Sequence, residues 1–122
     1  MSVSVRDFEK SILADAAVTA YNVIKVTSTG CDVATGATDK IIGVAQATCA
    51  AAEQAVVRFG GTSKVIASAA VSAGDRVTAT TSGKVVTTVT DHQTIVGMAL
   101  EAAAADGDII EVLLTPGALI SL

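Results

Sequence analysis

Aromatic residues are nearly missing from this 122-residue chain: 2% of positions, namely Phe8, Tyr21 and Phe59, with no Trp. Charge is sparse as well, at 16% Asp, Glu, Lys and Arg against roughly 25% in an average soluble domain. The net charge is −4. These shortages argue against a nucleic-acid binder, which needs a basic surface and rings on which bases stack. One His and two Cys fall short of the roughly four soft or imidazole ligands that a zinc centre takes. No long apolar run is present either. The longest uncharged stretches, residues 41–52 and 112–122, hold 12 and 11 residues, where a membrane-spanning helix needs about 20. Arg6, Asp7, Glu9 and Lys10 interrupt the place where a secretion signal would carry its apolar core, so synthesis in a cytoplasm is expected.

What is abundant is small and β-branched: 23 Ala, 17 Val and 15 Thr. With 51% apolar residues and a mean hydropathy of +0.60, a disordered chain is not expected. A domain of this size exposes much of its surface, and few charges are available to cover it. Burial against other subunits resolves the mismatch; a monomer with a Thr-rich skin is the alternative. Cys31 and Cys49 read as two small apolar thiols, with a disulfide between them as the alternative.

The chain repeats itself. Residues 14–30 align with 67–83, with 7 identities in 17 positions. Ile41-Ile42-Gly43-Val44-Ala45 returns as Ile95-Val96-Gly97-Met98-Ala99, and Val56-Val57 as Ile109-Ile110. Thr29-Gly30 and Ser82-Gly83 each separate two Val/Thr-rich runs, the pattern of a hairpin whose tight turn needs a positive φ. Further strands are expected over residues 40–46, 55–59, 63–67, 94–100 and 108–114. Gly43 and Gly97 interrupt apolar strands at matching places, which marks a bulge or a close approach of backbones.

The expectation is an all-β fold: a compact barrel or sandwich of two repeated units, about 14–62 and 67–117, related by a pseudo-two-fold. A single β-domain, 14–122, follows an N-terminal arm, 1–13. Ile42, Val44, Val56, Val77, Val96, Met98, Ile110 and Val112 are its expected core. The arm admits a short helix, with Val5, Phe8 and Ile12 on one face, or an extended segment lying along a neighbour.

Chemistry is thin. Asp91-His92 is adjacent in a connection and has no nucleophile in a recognisable elbow. Asp106, Asp108 and Glu111 lack the dense oxygen spacing of a calcium loop and read as turn and surface positions. Gly60-Gly61-Thr62-Ser63-Lys64 misses the first glycine of a phosphate loop and leads into a strand. Asp39-Lys40 is reminiscent of the modified lysine of lipoyl and biotinyl carrier domains, but it opens an apolar strand instead of capping a hairpin. No catalytic residue, cofactor site or metal site is expected.

The succession Ile-Ile-Gly-Val-Ala (41–45), Gly-Asp-Arg-Val (74–77), Ser-Gly-Lys-Val-Val (82–86), Ile-Val-Gly-Met-Ala-Leu (95–100) and Gly-Asp-Ile-Ile-Glu-Val-Leu-Leu (107–114) resembles the small capsid decoration, or cement, proteins of tailed bacteriophages. The resemblance covers about residues 14–116. It departs at Tyr21-Asn22, where the first copy would carry Gly-Asp. It implies a compact, non-enzymatic β-fold that binds the capsid exterior and stabilises the lattice, commonly as a trimer. The implied partners are the major capsid protein and further copies of the chain, with no nucleic acid or membrane. Apolar anchors interleaved with both charges make Val5, Arg6, Phe8, Lys10, Ile12 and Leu13 the candidate contacts to capsid or neighbouring subunit. A fibre or adhesin module, and a carrier domain modified on Lys40, are the alternatives.

Overall fold

Runs of Val, Ile, Thr and Ala bounded by Gly and Asp turns become ten strands in the computed structural model of the chain, which describes residues 9–36, 40–87 and 94–119. They are β1 (Glu9–Leu13), β2 (Val23–Val26), β3 (Cys31–Val33), β4 (Ile41–Ala45), β5 (Gln54–Arg58), β6 (Thr62–Ile66), β7 (Arg76–Ala79), β8 (Val85–Thr87), β9 (Thr94–Ala99) and β10 (Ile109–Leu119). Two antiparallel five-stranded sheets result, ordered β1-β5-β4-β2-β3 and β6-β10-β9-β7-β8. Among the described residues the only helical turn is a 3₁₀ turn, Thr81–Gly83. The fold is therefore all-β and sandwich-like, and neither sheet closes into a barrel.

The two orders are the same order. Glu9 corresponds to Thr62, Val23 to Arg76, Ile41 to Ile95 and Gln54 to Ile109. Even the isolated bridges repeat: Ala14–Cys31 and Val18–Cys49 return as Ala67–Val85 and Val71–Ala103. The repeat extends further than the identities suggest. Residues 9–13, expected to belong to an arm, form the outer strand of the first sheet. β1 pairs with β5 from Glu9↔Arg58 to Leu13↔Gln54, as β6 pairs with β10. Over these residues the arm is extended and hydrogen-bonded, not helical. Arg58 Nε donates to Glu9 Oε2 at 2.9 Å, and its Nη1 donates to the Thr62 carbonyl at 2.9 Å, so one guanidinium ties β1 to the start of the second unit.

The core is asymmetric. Ile24, Ala45, Ala55 and Val57 bury on one face of the first sheet, with Ala14, Val18 and Cys31 folded over part of it. We call this the inner face. The equivalent face of the second sheet carries Val65, Val77, Ala79, Val96 and Val112, and there Val23, Ala34, Ile41 and Val44 join the same cluster. These four lie on the opposite, outer side of the first sheet. Its outer face thus packs on the inner face of the second sheet, with β4 against β9 and β10. Among the hydrogen bonds that cross the junction, Gln46 Nε2 donates to Ser63 Oγ and Gly83 N to the Ala34 carbonyl, both at 2.9 Å.

A pseudo-two-fold would place equivalent residues in the contact from both units. It does not hold, because Arg76 and Met98, the equivalents of Val23 and Val44, are exposed. The units stack head to tail. Five of the eight expected core residues, Val44, Val77, Val96, Ile110 and Val112, are buried. Ile42 is half-buried because it sits on the inner face of the first sheet, and Met98 is exposed on the outer face of the second. Val56 is half-buried because β5 turns Ala55 and Val57 inward instead.

Gly43 and Gly97 sit where β4 and β9 shift register against β2 and β7. A Cβ at Gly43 would collide with the Arg58 carbonyl, and one at Gly97 with the Leu113 carbonyl. Each glycine lets the bulged strand close on its neighbour. Near the first hairpin, Asp15 takes hydrogen bonds from the Thr29 hydroxyl at 2.8 Å and from the Thr27 hydroxyl. These donors, Thr27 foremost, hold its carboxyl below the usual range.

Gly97→Ala is expected to cost about 1–3 kcal/mol or more in urea unfolding, whereas Gly36→Ala, where an added methyl meets open space, should be near neutral. Asp15 binds protons more readily unfolded than folded. Its stabilising effect is therefore present above the carboxylate range and lost as pH falls through it. The difference in urea midpoint between wild type and Asp15→Asn should hold steady above about pH 5 and shrink toward about pH 3.

Candidate functional site

Because the units stack head to tail, the inner face of the first sheet and the outer face of the second are left at the two ends of the molecule. The first is a groove. Lys10 and Ile12 of β1, Val26 of β2, Ile41 and Ile42 at the bulge of β4, and Val57 and Phe59 of β5 and its end line an open space of about 420 Å³. Val26 is 45% exposed where its equivalent Ala79 is 1% exposed, and Phe59 is 40% exposed where Leu114 is 6% exposed. Ile12 and Ile42 are half-buried, whereas Val65 and Val96 are fully covered. The same surface is thus fully covered in one unit and, at Ile12, Val26, Ile42 and Phe59, partly open in the other, where Ile24, Ala55 and Val57 remain buried.

The second end is an apolar patch. Met98 pairs with Leu113 and Arg76 in register across β9, β10 and β7. Leu113, Ile109 and Leu100 are exposed alongside it, with Glu111 between Ile109 and Leu113 on the same side of β10. Exposed large apolar side chains gathered at the ends of so small a domain are the mark of contact surfaces.

Of the six candidate contact residues, Val5, Arg6 and Phe8 lie outside the described residues. Lys10 and Ile12 are brought together at the groove, and Leu13 is exposed at the end of β1. Val26, Leu100, Ile109 and Leu113 are not singled out by the sequence, and Met98 is expected there only as a core residue. A signal for Ile109 and Leu113 existed: β10 is apolar at successive positions, 109–110 and 112–114, as a strand covered on both faces would be.

The other sequence candidates disperse. Asp106 pairs with Lys84 at 2.9 Å. Asp108 accepts from the Ala104 and Ala105 amides at 2.8 and 3.2 Å, and the Glu111 amide donates to Glu101 Oε1 at 2.8 Å. These are turn and sheet contacts. Among the described residues, no group of three or more His, Cys, Asp or Glu converges as metal ligands would. Asp91, His92 and Asp39 lie outside the described residues. The Lys40 carbonyl accepts from the Val26 amide, fixing Lys40 at the entry to β4. Gly60-Gly61 is the turn from β5 into β6. Cys31 and Cys49 are free thiols. Burial first, then the nearby Cys49, Asp15 and Asp32 charges, push the Cys31 thiol up, which keeps it protonated and unreactive at neutral pH. Among the described residues, no helix is long and apolar enough to cross a membrane.

A family model described as phage cement protein matches residues 8–114, taking in both units from the first strand onward. Among solved structures, the N base of head fiber gp8.5 of bacteriophage phi29 is similar in fold, with a TM-score of 0.70 at 20% sequence identity, over 93% of this chain and 98% of that one. No curated protein gives a significant match.

Proposed function

The chain belongs to the phage cement protein family, and we propose that it binds the outer surface of an assembled phage capsid as a homotrimer and stabilises the lattice. It is a capsid-associated structural protein of a bacteriophage. The observation that carries the proposal is the family match across both β-units. The fold shared with a head-fibre base supports it, as do the sparse charge and the two apolar ends. The mechanism is linkage. A ligand that binds only the mature lattice stabilises it by RT ln(1 + [L]/Kd) at every site, so many modest contacts together resist internal pressure. Synthesis in the host cytoplasm, followed by capture on the particle exterior, fits this role.

We further propose that the N-terminal segment contributes to the contact. Val5, Arg6 and Phe8 precede β1, and Lys10, Ile12 and Leu13 carry the surface into the first sheet. Trimming must stop before Glu9, which pairs with Arg58.

Purified protein should co-pellet with expanded, undecorated shells at a saturating stoichiometry and raise their melting temperature; no pelleting at micromolar concentration would overturn the reading. Removing residues 2–8 should leave the circular dichroism spectrum unchanged and weaken shell binding by at least about tenfold. Full-strength decoration by the truncated chain would place the contact elsewhere.

A further inference from the structure

Inside the chain, one contact is made once and its equivalent is not made at all. Val23, Ile41 and Val44 on the outer face of the first sheet cover Ala79, Val96 and Val112 on the inner face of the second. The equivalents of the covering residues are Arg76, Ile95 and Met98, on the outer face of the second sheet. The equivalents of the covered ones are Val26, Ile42 and Val57, in the groove of the first. The groove is apolar apart from Lys10 and is exposed at Val26; the outer face of the second sheet sets exposed Met98 and Leu113 beside Arg76 and Glu111, with Ile95 already covered; and the two lie at opposite ends of the molecule.

We propose that copies of this chain associate by repeating the internal contact: the outer face of the second sheet of one copy covers the groove of the first sheet of the next. It rests on the homotrimer reading only for the premise that copies associate. The occupant follows from the duplication. The equivalent face, in the second sheet, is covered by the outer face of the first sheet, and a second copy offers the sister of that covering face with Met98, Leu100, Ile109 and Leu113 exposed on it or beside it. A two-fold contact through the groove alone would leave that patch in water, whereas the head-to-tail contact covers both ends at once. Such a contact is heterologous, and it closes into a ring when the rotation per copy allows. Three copies then make a ring of six stacked sheets in which every inner face is covered.

The internal hydrogen bond from Gln46 to Ser63 supplies a position-specific test. Its equivalents are Leu100 on one copy and Lys10 on the next, and both are exposed. Two chains of distinguishable mass, one Lys10→Cys and one Leu100→Cys, each also Cys49→Ala, are mixed and treated with a short bis-maleimide. The treatment is done in solution and on shells. Mixed cross-links should dominate, with like-with-like products at most about a tenth as abundant. Separately, Val26→Glu and Met98→Glu should each weaken self-association by at least about tenfold. Mixed together, these two variants should form a one-to-one pair that grows no further, because one intact pair of faces remains. Dominant like-with-like products would overturn the proposal in favour of a two-fold contact. Association or decoration without the mixed product would overturn it in favour of another surface or of shell protein in the groove, as would the absence of any mixed product under both conditions. Failure of the wild type to pellet with shells counts against the cement reading alone, since the cross-link in solution is read independently.

Discussion

Each of the two sheets carries apolar side chains on both sides, and the arrangement of the molecule follows from having to cover them. A sheet that turns Val23 and Val44 one way and Ile24 and Val57 the other cannot sit at a solvent boundary without loss. Full burial of a Val or Ile side chain is worth about 1.5–3 kcal/mol, so a sheet with two such faces gains most when flanked twice. Stacking the units head to tail satisfies one face of each. A two-fold arrangement would satisfy the same number of faces but would leave the two remaining surfaces identical. Here they differ: a groove lined by Ile12, Val26, Ile42 and Phe59 at one end, and Met98 and Leu113 set beside Arg76 and Glu111 at the other.

Much of this was legible in the residues. The hairpins at Thr29-Gly30 and Ser82-Gly83 stand where glycine supplies the turn, and Ser82 and Gly83 adopt successive left-handed conformations of φ 64° and 70°. Gly43 and Gly97 mark the close approaches expected of a glycine inside an apolar strand. What could not be read was the side of the sheet each residue takes. A bulge adds a residue to one strand and exchanges the faces beyond it, so parity counted along the sequence fails past Gly43 and Gly97. The β1 strand escaped because Glu9-Lys10-Ser11-Ile12-Leu13 and Thr62-Ser63-Lys64-Val65-Ile66 share apolar character only at their last two positions.

Two of the misplaced core residues, Ile42 and Met98, belong to the two end surfaces. Their composition reads as core because it resembles what the sister unit buries. That is how an exposed surface derived from a duplicated core looks in sequence: no motif, no charge run, simply apolar residues where the sister unit hides them.

Only Phe59, Gly60 and Gly61 separate β5 from β6, so the two sheets of one chain are never far apart. A short tether of this kind holds its ends at an effective concentration in the millimolar range. The internal contact is therefore made whatever the protein concentration, and small side chains such as Ala79 suffice in it. A contact between separate chains has no such tether, and its strength follows how many copies are crowded onto one surface. The tether therefore sets the two kinds of contact apart: the one inside the chain is indifferent to dilution, and any between chains answers to it.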